Sequence, residues 1–303
     1  MREPQRMKLP NWPGRVYEAN LVRAYFADFA VGVTLPADIR GLRLMATSEV
    51  RALPGEAGAC HTRFPMCLEC SRYEQGDAFG ILDAAVLGIH LASDVWMPCR
   101  VFAYFGDMTG IQETSRDVPI GWGHHGGALT TDAIEFAAAH GPRLCELGLA
   151  ESFNRLSNSL RLYHAALSLV PSDVAMVVFV SALEGLFTTT HGGTSHGLAL
   201  GVSHFLETEP DARAALYERT KRIYALRSKV VHGDRLAERE EDAAITLADS
   251  YVPEAEQLVR RCIASVFATG FDRFFQSQSS KALGRFFHLL SLGYSRDAAR
   301  DRC

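Results

Sequence analysis

Beyond Leu144 the sequence is a succession of long stretches with 3.6-residue apolar periodicity, cut only at Pro171, the Gly192-Gly193 pair, Pro210 and Gly233. Proline lacks the amide that a helix interior needs, and glycine carries the largest backbone entropy cost there, so these positions read as helix boundaries. The spacing predicts helices over about 145–169, 172–188, 196–207, 211–232, 240–270 and 279–292, and so an all-α bundle over residues 144–303.

The first 143 residues read differently. Residues 1–16 are polar and carry Pro4, Pro10 and Pro13, the composition of a surface arm. Ala24 to Val33 fits a helix or a strand, and Leu35-Pro36-Ala37-Asp38 a turn. Arg51 to Gly76, rich in Gly, Pro and Cys, reads as an irregular excursion. Asp77 to Ala92 predicts a helix with Phe79, Leu82, Val86 and Ile89 inward, and Val95 to Phe105 a strand ended by Gly106-Asp107. Gly110 to Gly127 reads as a loop, and Thr131 to Ala139 as a helix stopped by Gly141-Pro142. The fold class expected is therefore α+β: a mixed α/β domain over 1–143, then the helical domain.

Within the bundle, the segment from Asp211 to Gly233 places Ala212, Ala215, Leu216, Thr220, Ile223, Leu226, Val230 and Val231 on a mostly helical stripe. It delivers Arg227 and His232 to its C-terminal end. Arginine is a permanent cation with a planar fork suited to phosphate oxygens, and histidine exchanges a proton near neutral pH, so the pair suits phosphodiester chemistry. A five-residue step turns a helix by roughly 140° and rises about 7.5 Å, so the two side chains do not converge on one atom; a second copy related by a twofold axis supplies the missing half. Without such chemistry, the same residues fit a salt-bridged surface arginine and a histidine favoured by the helix dipole.

The run Arg227-Ser228-Lys229-Val230-Val231-His232-Gly233, with Tyr224 before it, resembles the Arg-x4-His motif of the HEPN superfamily (higher eukaryotes and prokaryotes nucleotide-binding), in its Apea-like branch. Upstream, Val178-Phe179-Val180-Ser181-Ala182-Leu183-Glu184-Gly185-Leu186-Phe187 resembles that branch's acidic apolar helix, and the likeness spans about residues 148–268. The resemblance implies a metal-independent endoribonuclease without cofactor. In it Arg227 grips and polarises the RNA phosphate, and His232 moves the proton of the attacking 2′-hydroxyl or of the leaving oxygen. Ser228, Tyr224, Lys229 and Glu184 are supporting residues: Ser228 orients the phosphate, and Glu184 either pairs with an arginine of the bundle or orients Arg227. Either role for Glu184 requires a cation, because a buried carboxylate left alone is too costly.

Composition limits the alternatives. A chain of 303 residues, 48% hydrophobic and 22% charged, has the make-up of a globular protein, and a net charge of −4 argues against a wholly basic surface. Locally, Arg213, Arg219, Lys221, Arg222, Arg227, Lys229 and Arg235 outnumber Asp211, Glu218 and Asp234, which fits either a basic patch or a solvated face. Seven cysteines and no secretory apolar region predict a reducing cytoplasm without disulfides. The most apolar run, Val174 to Phe187, carries Glu184 and falls short of the roughly 20 residues a membrane span needs. Cys60, His61, Cys67 and Cys70 form the one metal-like cluster; they read as free thiols in a loop, with zinc on Cys60, Cys67 and Cys70 the weaker alternative. Gly123-His124-His125-Gly126 and His191 to His196 lack the strand-loop-helix context of phosphate loops and read as connectors.

Two functions remain. The first is a homodimeric RNA-cutting enzyme of bacterial defence or stress, restrained by its N-terminal domain acting as sensor or cover, or by a regulatory protein or ligand bound there. The second is a non-catalytic dimer that binds RNA or nucleotide, or assembles with protein.

Overall fold

The computed structural model describes residues 19–26, 37–39, 42–50, 66–71, 78–93, 99–105, 110–114, 129–149, 154–167, 169, 172–189, 194–234 and 251–303. Most of these residues are helical. The chain divides into two compact units, Met1–Ile120 with His125–Glu151, and Gly121–His124 with Ser152–Cys303.

The first unit carries an antiparallel sheet of six strands in the order β2-β3-β4-β1-β5-β6. The strands are β1 (Ala19–Phe26), β2 (Ala37–Ile39), β3 (Leu42–Ala46), β4 (Met66–Ser71), β5 (Cys99–Phe105) and β6 (Gly110–Thr114). β1 pairs with β4 from Leu21↔Ser71 to Phe26↔Met66 and with β5 from Ala19↔Phe105 to Phe26↔Cys99, so it lies inside the sheet. Two helices accompany the sheet, α1 (Ala78–Ala92) and α2 (Thr131–Leu149). They approach so closely that a Cβ added at Gly88 would stand 2.9 Å from the Ala137 Cα, which is why glycine occupies that turn.

Several expectations fail in this unit. β4 lies inside the stretch read as irregular, and β6 inside the stretch read as a loop. In both, short strands are held by cross-strand partners that local composition does not reveal. Helix α2 does not stop at Gly141-Pro142 but runs on to Leu149 with Pro142 inside it. Leu144 and Leu147 on the far side of the proline are buried, and that packing offsets the lost backbone bond. The first compact unit extends to Glu151 and the second takes up the chain at Ser152.

The second unit contains α3 (Arg155–Leu167), α4 (Ser172–Phe187), α5 (Thr194–Leu206), α6 (Pro210–His232), α7 (Val252–Ala268), α8 (Asp272–Ser277), α9 (Ser280–Ser291) and α10 (Arg296–Arg300). α4 packs against α3, α5, α6 and α7. It meets this with a nearly all-round apolar sequence, burying Ala175, Met176, Phe179, Val180, Ala182, Leu183, Leu186 and Phe187. At its end Phe187 joins Phe205, Phe275 and Phe287, ring centroids 5.6 to 5.9 Å apart from it, and so ties α5, α8 and α9 to the same core. No helix among the described residues is long and apolar enough to cross a membrane.

Candidate functional site

Local signals fix both ends of α6. Pro210 stands in its first turn, where the missing amide has no helical partner to lose. Gly233 follows His232 with φ of 71°, in the left-handed region where glycine is favoured. Its amide donates to the Val230 carbonyl at 3.2 Å while the Asp234 amide reaches back to the Lys229 carbonyl at 2.9 Å, the bond pair of a Schellman closure. His232 is therefore the last helical residue, and it is exposed.

Arg227 lies one turn earlier and is mostly covered. Its Nη2 donates to Glu184 Oε2 on α4 at 3.3 Å, with both side chains 22% exposed. The guanidinium carbon sits 5.7 Å from the centroid of the Tyr224 ring. Arg227 Nε is buried and makes no hydrogen bond. A guanidinium carries five N–H donors, so the single bond to Glu184 orients the fork and leaves donors available to an oxyanion. Ser228 is half-buried beside it, whereas Lys229 and Val231 are exposed, Val231 at 50%.

Glu184 is itself held from below. Arg155 on α3 closes the end of α4: its Nη1 donates to the carbonyls of Gly185 at 3.0 Å and Thr188 at 2.8 Å. Its Nη2 donates to Ser280 Oγ on α9 at 2.6 Å. These carbonyls are among those a helix end leaves without partners, so the turn bearing Glu184 is fastened by a charge-assisted clasp. Burial lowers the Arg155 pKa from its ordinary value.

The cations counted along α6 do not form one patch. Arg219 Nε pairs with Glu254 on α7, and Arg222 Nη2 reaches the same Glu254 oxygen at 2.9 Å. Arg219 also donates to Gln257 at 2.9 Å. Arg213 donates to the carbonyls of Glu207 and Thr208. Of the cations counted in the sequence, most of those described are engaged and Lys229 stays exposed in the last turns, while Arg235 lies outside the described residues. Glu254, Gln257 and Arg155 were not singled out in the sequence. Glu254 had one signal, an acid in the first turn of a helix beginning at a proline.

Of the metal-like cluster, Cys60 and His61 lie outside the described residues, as do residues 121–128 and 190–193. Cys67 is buried, and it shares β4 with Cys70 at an odd separation, which on a regular strand puts the two positions on opposite faces. The excursion expected to present these thiols in a loop is a strand at these two positions. His196 falls in the first turn of α5, where its Nδ1 is 2.7 Å from Tyr217 Oη on α6. No protein-family model, curated protein or solved structure matches this chain.

Proposed function

We propose that the helical unit is a metal-independent endoribonuclease of HEPN type, acting as a twofold dimer. The observation that carries this reading is the division of labour on the last turns of α6. Arg227 is oriented by Glu184 through one Nη2 bond and keeps 22% of its side chain exposed, and His232 stands exposed at a helix end closed by Gly233. In the proposed reaction Arg227 binds the scissile phosphate and stabilises its developing negative charge. His232 takes the proton of the 2′-hydroxyl or gives one to the leaving 5′-oxygen. The 2′-oxygen attacks phosphorus, and the products are a 2′,3′-cyclic phosphate and a 5′-hydroxyl. One helix holds the two groups on different sides, so the partner copy completes the set. The N-terminal unit is proposed to restrain or trigger this site.

Purified protein should cut total RNA in the presence of EDTA and leave a cyclic phosphate, and Arg227→Lys should be poor because lysine lacks the planar two-point grip. Light scattering should show a dimer. Cleavage that persists in the Arg227→Ala, His232→Ala double variant, or that vanishes with chelator, sinks the reading. A second reading, a binding or assembly dimer without cleavage, is favoured by the half-exposed Val231 beside His232 and by the engagement of Arg219 and Arg222 with Glu254. Dimer formation with RNA left intact would select it.

A further inference from the structure

We infer that the outward face of α9, with the turn that follows it, is a contact for single-stranded RNA separate from the Arg227–His232 pair. Lys281, Arg285, His288 and Leu292 recur at helical spacing and are all exposed, while Leu283, Phe286, Phe287 and Leu290 between them are buried. The helix therefore presents one basic face over a rise of about 16 Å. Among the described residues neither Lys281 nor Arg285 makes a salt bridge, and the group within electrostatic reach of Arg285 is the Cys303 thiol, which burial keeps protonated. The nearest acids in the following segment, Asp297 and Asp301, lie 2.9 and 3.7 Å from Arg300. This is the reverse of α6, whose arginines are mostly spent on Glu184 and Glu254.

The far end of the stripe adds aromatic surface. Leu292 is 62% and Tyr294 41% exposed, and the Arg302 guanidinium lies 5.1 Å from the Tyr294 centroid. Free cations leading to an exposed ring are what a single strand needs, since the cations follow its backbone and a base stacks on the ring whatever its identity. An anionic membrane fits less well, because the apolar side of α9 is turned into the core. The near end of the stripe is tied to the proposed catalytic site through α4: Ser280 is held by Arg155, which holds the carbonyls of Gly185 and Thr188, beside the Glu184 that orients Arg227. The inference rests on the RNA reading of that site for its occupant. The stripe holds the part of the strand that is not being cut.

The test uses full-length His232→Ala protein and labelled poly(U), so that binding is read without cleavage. Changing Lys281 and Arg285 together to Gln should weaken binding about tenfold at low salt and make the slope of log affinity against log salt shallower by about 1.4. Lys281→Gln alone should remove about half of that slope change. Tyr294→Ala should weaken binding and leave the slope as it was. An unchanged slope and affinity in the double variant overturns the contact, and so does polyglutamate or a phosphatidylserine vesicle binding as tightly as poly(U). A wild type that cuts no RNA but shows the Lys281 and Arg285 dependence overturns the ribonuclease reading alone. A wild type that cuts RNA while the double variant binds normally overturns the stripe alone.

Discussion

The two ends of α6 differ in how far their side chains are engaged. Along its first two-thirds Arg213 bonds to backbone carbonyls, Arg219 and Arg222 close on Glu254, and Thr220 Oγ donates to the Leu216 carbonyl. In its last turn Lys229, Val231 and His232 face solvent, with a glycine closure behind them. A run of like residues in the sequence thus splits into an anchored part that positions the helix and an open part available for chemistry. Partners drawn from α4, from α7 and from the residues just before α6 decide which cation belongs to which part.

The largest expected effect breaks the open end. His232→Ala should lower the rate of RNA cleavage by roughly 10²- to 10⁴-fold, the scale of a lost proton-transfer group, while the melting temperature stays within a degree or so because the side chain is exposed. A comparable loss of melting temperature would mean that His232 is structural. Next comes the closure itself. Nothing lies within 4 Å of a Cβ added at Gly233, so Gly233→Ala costs only the left-handed conformation, about 1–2 kcal/mol, readable by denaturant titration. Cleavage should also fall, since His232 then loses its fixed helix end.

The anchored end should respond in the opposite sense. Glu254→Ala frees two arginines, and we expect about 1 kcal/mol of lost stability, a melting shift of about 2–4 °C, with cleavage by the folded protein retained. Loss of cleavage without loss of stability would erase the distinction between the two ends. The smallest effect is pH-dependent. Burial, then the charge of Arg213 near the start of α6, hold the His204 pKa below its ordinary 6.5, against an opposing hydrogen bond with the Leu290 backbone. As pH falls through that range the unfolded chain takes up a proton that the folded one resists, so stability declines towards acid. His204→Gln should flatten the melting curve against pH between about 7.5 and 5.5; an equally steep curve would assign the acid sensitivity elsewhere.

How much could be read from the sequence follows the range of the forces involved. α6 was legible at both ends because Pro210 and Gly233 act on their own neighbours, and for the same reason Ser172–Phe187 and Ser280–Ser291 fall within a residue or so of their expected spans. Glu184 was read as requiring a cation, and it has Arg227. Which of several arginines would face it depended on how α4 and α6 pack, which no local pattern encodes. Pro142 misled because a breaker acts on one turn, whereas burial of Leu144 and Leu147 acts across the helix. The short helices α8 and α10 were missed altogether: six and five residues are too few to show a period, and Phe271, Phe274 and Phe275 around α8 matter through the aromatic core they join.

The Arg155 clasp has a consequence in time. Arg155 and Ser280 stand 125 residues apart, and residues emerge from the ribosome in order. While the chain is being made, α4 and the Arg227 motif exist before α9 can supply the third contact of the clasp. A nascent or prematurely ended chain should therefore carry the motif with the α4 end less firmly fastened, and cutting the chain before Ser280 should speed amide exchange around Glu184. For a protein proposed to destroy RNA, the fixing of its orienting carboxylate would then follow the appearance of the motif it serves rather than accompany it.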